Sequence, residues 1–94
     1  LSVLSVIPCD TAEEAMVLGN QTEYGLGGPV WTKIISTALR VVKGIYTEVI
    51  WVNCYGLIDP PVGLGGTKHS GYGAEGGRAN LKTYLYNKCV YINR

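Results

Sequence analysis

The chain has 94 residues, with 8 Lys and Arg against 7 Asp and Glu, for a formal net charge of +1 at pH 7. A balance this even excludes a polybasic nucleic-acid or membrane-surface segment and an acidic tail. A hydrophobic content of 47% excludes a disordered chain, and the length allows one small domain or a piece of a larger one.

The apolar run Val3, Leu4, Val6 and Ile7, closed by Pro8, predicts a strand buried on both faces. The chain starts at Leu1, inside that run and without a methionine, which leads us to expect a fragment. Asp10, with Glu13 three residues on, predicts the start of a helix whose narrow apolar face is Ala12, Ala15, Met16 and Gly19, ending at Asn20. A turn through Tyr24–Pro29 then leads to a short strand near Val30–Trp31, with Pro29 at its beginning or edge. Thr32 is placed to cap a second helix carrying Ile34, Ile35, Ala38, Leu39, Val42 and Ile45 on one face. Glu48–Asn53 is rich in β-branched and aromatic residues and predicts another buried strand. After the glycine-rich connection from Gly56 to Gly73, a third helix is expected from about Ala74 to Tyr86. An alternating strand is expected over Cys89–Asn93. Strands alternating with helices give an α/β fold with a mostly parallel sheet, in the order β-α-β-α-β-loop-α-β.

Glycine occurs 13 times, eight of them from Gly56 to Gly77, while phenylalanine is absent and tyrosine occurs seven times. Gly63–Ser70 fails as a phosphate loop, because Thr67 stands where a glycine must precede the lysine and His69 separates Lys68 from Ser70. Gly71–Gly76 matches GxGxxG, but no confident strand abuts it and no acidic residue follows Glu75 to hold a ribose. Three cysteines, Cys9, Cys54 and Cys89, form neither a disulfide framework nor a zinc pair, and are expected as reduced, packed thiols of a cytoplasmic protein. The single histidine, His69, is not placed beside any of them by spacing. No apolar run is long enough to span a membrane. Arg78, Lys82, Lys88 and Arg94 stand among Tyr84, Tyr86 and Tyr91; a single-strand nucleic-acid surface ranks far behind a solvated helix side as their reading. Glycine-dense backbone at the end of a parallel strand makes the loop after Asn53 the default site.

Several stretches together carry a more specific signal: Leu4-Ser-Val-Ile-Pro8, Thr22-Glu-Tyr-Gly-Leu26, Trp51-Val-Asn-Cys-Tyr55, and Gly65-Gly-Thr-Lys-His-Ser-Gly71 followed by Gly73-Ala-Glu-Gly-Gly77. In these the chain resembles the C-terminal part of an NAD(P)-dependent aldehyde dehydrogenase. The resemblance implies a three-layer catalytic-domain segment over residues 1–87 and an oligomerisation strand over 88–94, which would join a neighbouring subunit's sheet. It implies oxidation of small-molecule aldehydes to carboxylic acids with NAD or NADP, in a homo-oligomer, dimer or tetramer, with neither nucleic acid nor membrane as partner. The nucleophilic cysteine, its general base and the dinucleotide-binding domain would lie upstream of Leu1, so the 94 residues alone would be inactive.

Residue by residue, the resemblance gives Glu75 a proton-relay role; a first-turn helix glutamate is the equal alternative. It gives Gly56, Leu57, Ile58 and Leu64 the substrate tunnel. It gives the backbone at Lys68 and Gly71 a subunit-interface potassium. The chain departs from the family at Leu64, where an aromatic is usual, at Ala74, where arginine is usual, and at Glu48, where a glycine normally ends the second helix. Gly44 is then expected inside that helix, at a cost of about 1 kcal/mol relative to alanine. The alternative function is a stand-alone, non-catalytic assembly or binding module derived from the family.

Overall fold

The computed structural model describes residues 2–94. Thr11 extends the chain at φ −134° and ψ 159°, and its hydroxyl accepts a hydrogen bond from the Glu14 amide at 3.1 Å. Glu14 in turn accepts from the Asp10 amide at 2.9 Å. This reciprocal capping box starts helix α1, Ala12–Asn20, one residue later than Asp10 and Glu13 suggested.

Two short strands follow, β1 (Tyr24–Gly25) and β2 (Gly27–Val30), then helix α2 (Ile35–Gly44) and strand β3 (Val49–Val52). β2 and β3 pair in parallel with α2 as the crossover, so Gly27–Val52 forms one βαβ unit. Pro29 sits in β2, whose only ladder partner is β3, and so fits the edge position its missing N–H requires. Thr32 does not cap α2. Its hydroxyl accepts from the Ile34 amide at 3.1 Å, and Ile34 is the cap residue, with no side-chain bond.

Among the described residues Ala38 alone is a buried hydrophobic side chain, with Thr37, Val41 and Ile45 half-buried beside it. The rest of the expected α2 face turns outward: Ile34, Ile35, Leu39 and Val42 are exposed. Helices α1 and α2 meet where Met16 lies against Gly44, close enough that a Cβ at Gly44 would strike the thioether. Gly44 is the last residue of α2, not an interior one, so Glu48 lies past the helix and the expected loss of its terminating glycine disappears. The Asn20 carboxamide completes this junction, donating to the Gly44 carbonyl at 2.7 Å and accepting from the Tyr46 amide at 2.8 Å. It satisfies one of the orphan carbonyls that end α2.

The second half departs from expectation. The predicted helix over Ala74–Tyr86 is replaced by strand β6 (Ala74–Glu75) and a 3-10 helix (Arg78–Tyr84). Gly76 and Gly77, with φ of +67° and +65°, break the chain between them. β6 pairs antiparallel with β4 (Leu64–Gly65), while β5 (Thr67–Lys68) pairs antiparallel with β1. The fold is therefore α/β with three separate two-stranded ladders, one parallel and two antiparallel, in place of a mostly parallel sheet. Two-residue strands carry no periodicity for a sequence to display.

The two terminal strands do not form ladders within the chain. Leu1 lies outside the described residues; Val3, Leu4, Val6 and Ile7 are exposed and unpaired. Cys89–Asn93 likewise has no strand partner, and Val90, Tyr91 and Ile92 are exposed. These ends stretch the molecule to 73 × 30 × 23 Å, with a radius of gyration of 18.5 Å, against about 12 Å for a compact domain of this length.

Candidate functional site

β3 delivers the glycine-rich connection, and two of its residues fix how it leaves. Asn53 donates its backbone N–H to Val30 O at 2.8 Å, while its side chain bonds both the amide and the carbonyl of Thr32 at 2.9 Å. Its φ of +53° then turns the chain sharply, a conformation asparagine tolerates better than most residues. Trp51 lies over Gly27, and its indole N–H donates to Leu57 O at 2.8 Å. Tyr55 meets the indole edge-on, with ring centroids 5.1 Å apart. The sequence pattern gave neither Trp51 nor Asn53 a positioning role. The signal was present in Trp51, since an indole N–H on a half-buried ring needs an acceptor.

Of the expected tunnel residues, Gly56 adopts a φ of +75°, and Leu57 and Ile58 are exposed. Leu64 lies apart from them on β4, directly opposite Glu75 on β6. The structure thus brings Leu64 and Glu75 together. It also removes the alternative reading of Glu75, since no helix starts at Ala74 and no macrodipole acts there. The two halves of the connection are clasped by the Gly77 amide on Pro60 O at 3.1 Å. Asn80 adds a bond to Gly76 O at 2.8 Å, passing so near Gly63 that a Cβ there would collide with its carboxamide.

A second cluster ties residues 67–70 to residues 20–25. The Gly25 amide donates to Ser70 Oγ at 2.8 Å, and Thr67 Oγ1 donates to Gly25 O at 3.0 Å. The His69 amide donates to Glu23 O at 3.0 Å, and His69 Nδ1 lies 3.1 Å from Glu23 Oε2. Lys68 Nζ donates to Thr22 O at 3.1 Å and to Asn20 O at 3.3 Å. Gly71 closes this turn with a φ of +143°.

The cysteines are not packed as expected: Cys9 and Cys89 are exposed and Cys54 is half-buried. Cys9 and Cys89 lie in the extended ends, where nothing within the chain covers them. Gly71–Gly76 leads into β6 and not into a helix, so this stretch offers no helix N-terminus to a pyrophosphate. The described residues accordingly do not fit a dinucleotide, and no chemical step is assigned to one here. They also hold no group of three or more His, Cys, Asp or Glu able to bind a metal, and no helix is long and apolar enough to cross a membrane. A groove of about 560 Å³ opens between the helices and the parallel ladder, lined among others by Ala15, Gly19, Val41, Ile45 and Ile50.

An α/β segment with a clasped, glycine-rich loop after its parallel unit is the architecture shared with the structures this chain matches. The apo form of an indole-3-acetaldehyde dehydrogenase superposes with a TM-score of 0.83 at 39% identity, over 87% of this chain and 19% of that one. Betaine aldehyde dehydrogenase from Staphylococcus aureus, solved in complex with NAD+, superposes with a TM-score of 0.79 at 36% identity, over 83% of this chain and 16% of that one. The model of the aldehyde dehydrogenase family matches residues 2–90, and the chain belongs to that family. An aldehyde dehydrogenase-like protein of Schizosaccharomyces pombe is 42% identical over 97% of this chain, and betaine aldehyde dehydrogenase of Agrobacterium fabrum is 37% identical over 97%. The chain spans 18% of the length of each.

Proposed function

We propose that these residues are the C-terminal catalytic-domain segment of an enzyme that oxidises small-molecule aldehydes to carboxylic acids with NAD or NADP. Family membership over residues 2–90 carries this reading. Residues 1–87 form the catalytic-domain part and residues 88–94 the oligomerisation strand, the parent enzyme being a homodimer or homotetramer in the cytoplasm. The nucleophile and the dinucleotide site belong to the remaining length that the relatives possess, and the 94 residues alone are inactive.

Within this reading the loop at Gly56, Leu57 and Ile58, held by the Trp51 indole, forms one part of the substrate tunnel. Leu64 forms another, presenting an aliphatic wall. Glu75, exposed and opposite Leu64 on the β4–β6 ladder, supplies a carboxylate able to pass protons between solvent and that wall. A potassium ion at the subunit interface would take backbone carbonyls at Lys68 and Gly71, since no acidic or imidazole cluster among the described residues offers another donor set.

The test exchanges the matching segment of the Agrobacterium betaine aldehyde dehydrogenase for this chain. Reduction of NAD+ by the chimera with betaine aldehyde is followed beside the 94 residues alone. We expect turnover from the chimera and none from the chain alone. Turnover by the chain alone, or a folded chimera without activity, would sink the proposal. The second outcome, combined with cooperative melting of the 94 residues alone, would favour a stand-alone assembly module.

A further inference from the structure

Lys68 has a φ of +54°, in the left-handed region where a non-glycine residue is disfavoured by about 1–2 kcal/mol. Glycine would sit there without strain, and the surrounding sequence uses it freely at Gly63, Gly65, Gly66, Gly71 and Gly73. A lysine that accepts this conformation amid so many glycines must return something through its side chain. Its ammonium reaches across to the turn after α1, donating to Thr22 O at 3.1 Å and Asn20 O at 3.3 Å. Asn20 is itself fixed at the far end of α2 by two bonds of 2.7 and 2.8 Å, to Gly44 O and from the Tyr46 amide. One cation therefore couples the glycine-rich segment, through Asn20, to both helices.

We infer that Lys68 is a positioning residue, its ammonium anchoring the glycine-rich segment to the helix pair and thereby setting where β4 presents Leu64. The link from Lys68 to Leu64 is short, because β5 follows β4 after a single residue, Gly66, which lies so close to Ser70 that even a Cβ would collide with it. Loosening β5 therefore shifts β4 directly, and with it the side chain opposite Glu75. The role in substrate access rests on the enzymatic reading above; the anchor itself does not.

The experiment compares Lys68→Met and Lys68→Arg in the betaine aldehyde dehydrogenase chimera; a narrower graft of residues 20–77 serves where the full exchange does not fold. Removing two charge-assisted bonds at an exposed site should speed hydrogen exchange of the amides of Gly25 and His69 by about tenfold in Lys68→Met. KM for the aldehyde should rise by a comparable factor with kcat within about twofold, the pattern of lost positioning that is uniform between ground and transition states. Lys68→Arg, which keeps a multidentate cation, should recover most of both effects. Unchanged exchange in Lys68→Met overturns the anchor. Faster exchange with unchanged KM overturns the positioning role, as does failure of arginine to recover what methionine loses. An unmodified chimera that folds but turns over no aldehyde would count against the enzymatic reading alone, and exchange at Gly25 and His69 would then decide the anchor without turnover.

Discussion

The middle of the molecule and its two ends are built from similar apolar residues and meet opposite fates. Val49–Val52 pairs in parallel with Gly27–Val30 and is half-buried throughout. Val3–Ile7 and Val90–Ile92 read equally well as strands, yet stand exposed with Val3 at 84% and Tyr91 at 93%. The difference lies in partners. A strand becomes a strand when its backbone groups are bonded by a neighbour, and the central strands find theirs within 25 residues of chain. The ends have an intrinsic preference for extension and no complementary edge within reach, which leaves apolar side chains and ladder groups open to pairing with another chain.

Three substitutions test how firmly this contrast holds, beginning with the largest effect. Gly25 is buried where β1 meets β5, and a Cβ there would strike Thr67 Oγ1 and approach the Tyr46 carbonyl to 3.0 Å. Since a backbone atom cannot swing aside, Gly25→Ala should lower stability by about 3 kcal/mol, measured by denaturant unfolding of the chimera. A cost below about 1 kcal/mol would mean that the central cluster is looser than its geometry. Asn20→Ala comes next. It removes two partly buried hydrogen bonds at the α1–α2 junction and leaves the Gly44 carbonyl and Tyr46 amide seeking water, for a loss of about 2 kcal/mol in the same measurement. The smallest effect belongs to the ends. Val6→Ser should change the stability of the 94 residues by less than about 0.5 kcal/mol, as expected for an exposed site. In the chimera the same change should cost about 1.5 kcal/mol or more if the remainder of the enzyme covers this strand. Equal effects in the two settings would show that nothing covers it.

Much of the central fold could be read from residue pattern alone. The polar starts, the apolar spacings and the β-branched run located α1, α2 and β3, each an element long enough to show its period. The errors have local causes. α1 starts at Thr11 because a hydroxyl and Glu14 make the reciprocal pair, whereas Asp10 and Glu13 offer the same spacing one residue earlier. α2 carries apolar residues on more than half its circumference, so spacing did not say which side would be covered; Ala38, Val41 and Ile45 turn inward and Ile35, Leu39 and Val42 do not. β6 was mistaken for a helix start because two residues show no alternation, and its identity depends on a partner ten residues upstream. Among the candidate site residues, the pattern indicated the glycine-rich loop correctly as a distinct feature. It did not foresee that Leu64 and Glu75 would face one another, nor that Lys68 would matter through its ammonium, because both depend on cross-strand register.

Asn53 completes the parallel pair in an unusual way. Its carboxamide takes the N–H of Thr32 and returns an N–H to the same residue's carbonyl. The side chain thus acts as a surrogate peptide group, adding one further rung after the main chain has already turned away. Strand length and exit direction, normally linked, are thereby separated: the ladder extends to Thr32 while the backbone leaves at Asn53. Aspartate is nearly the same shape but lacks the donor, so it would leave the Thr32 carbonyl unmatched. The departure angle of the glycine-rich loop is therefore written into a single amide side chain.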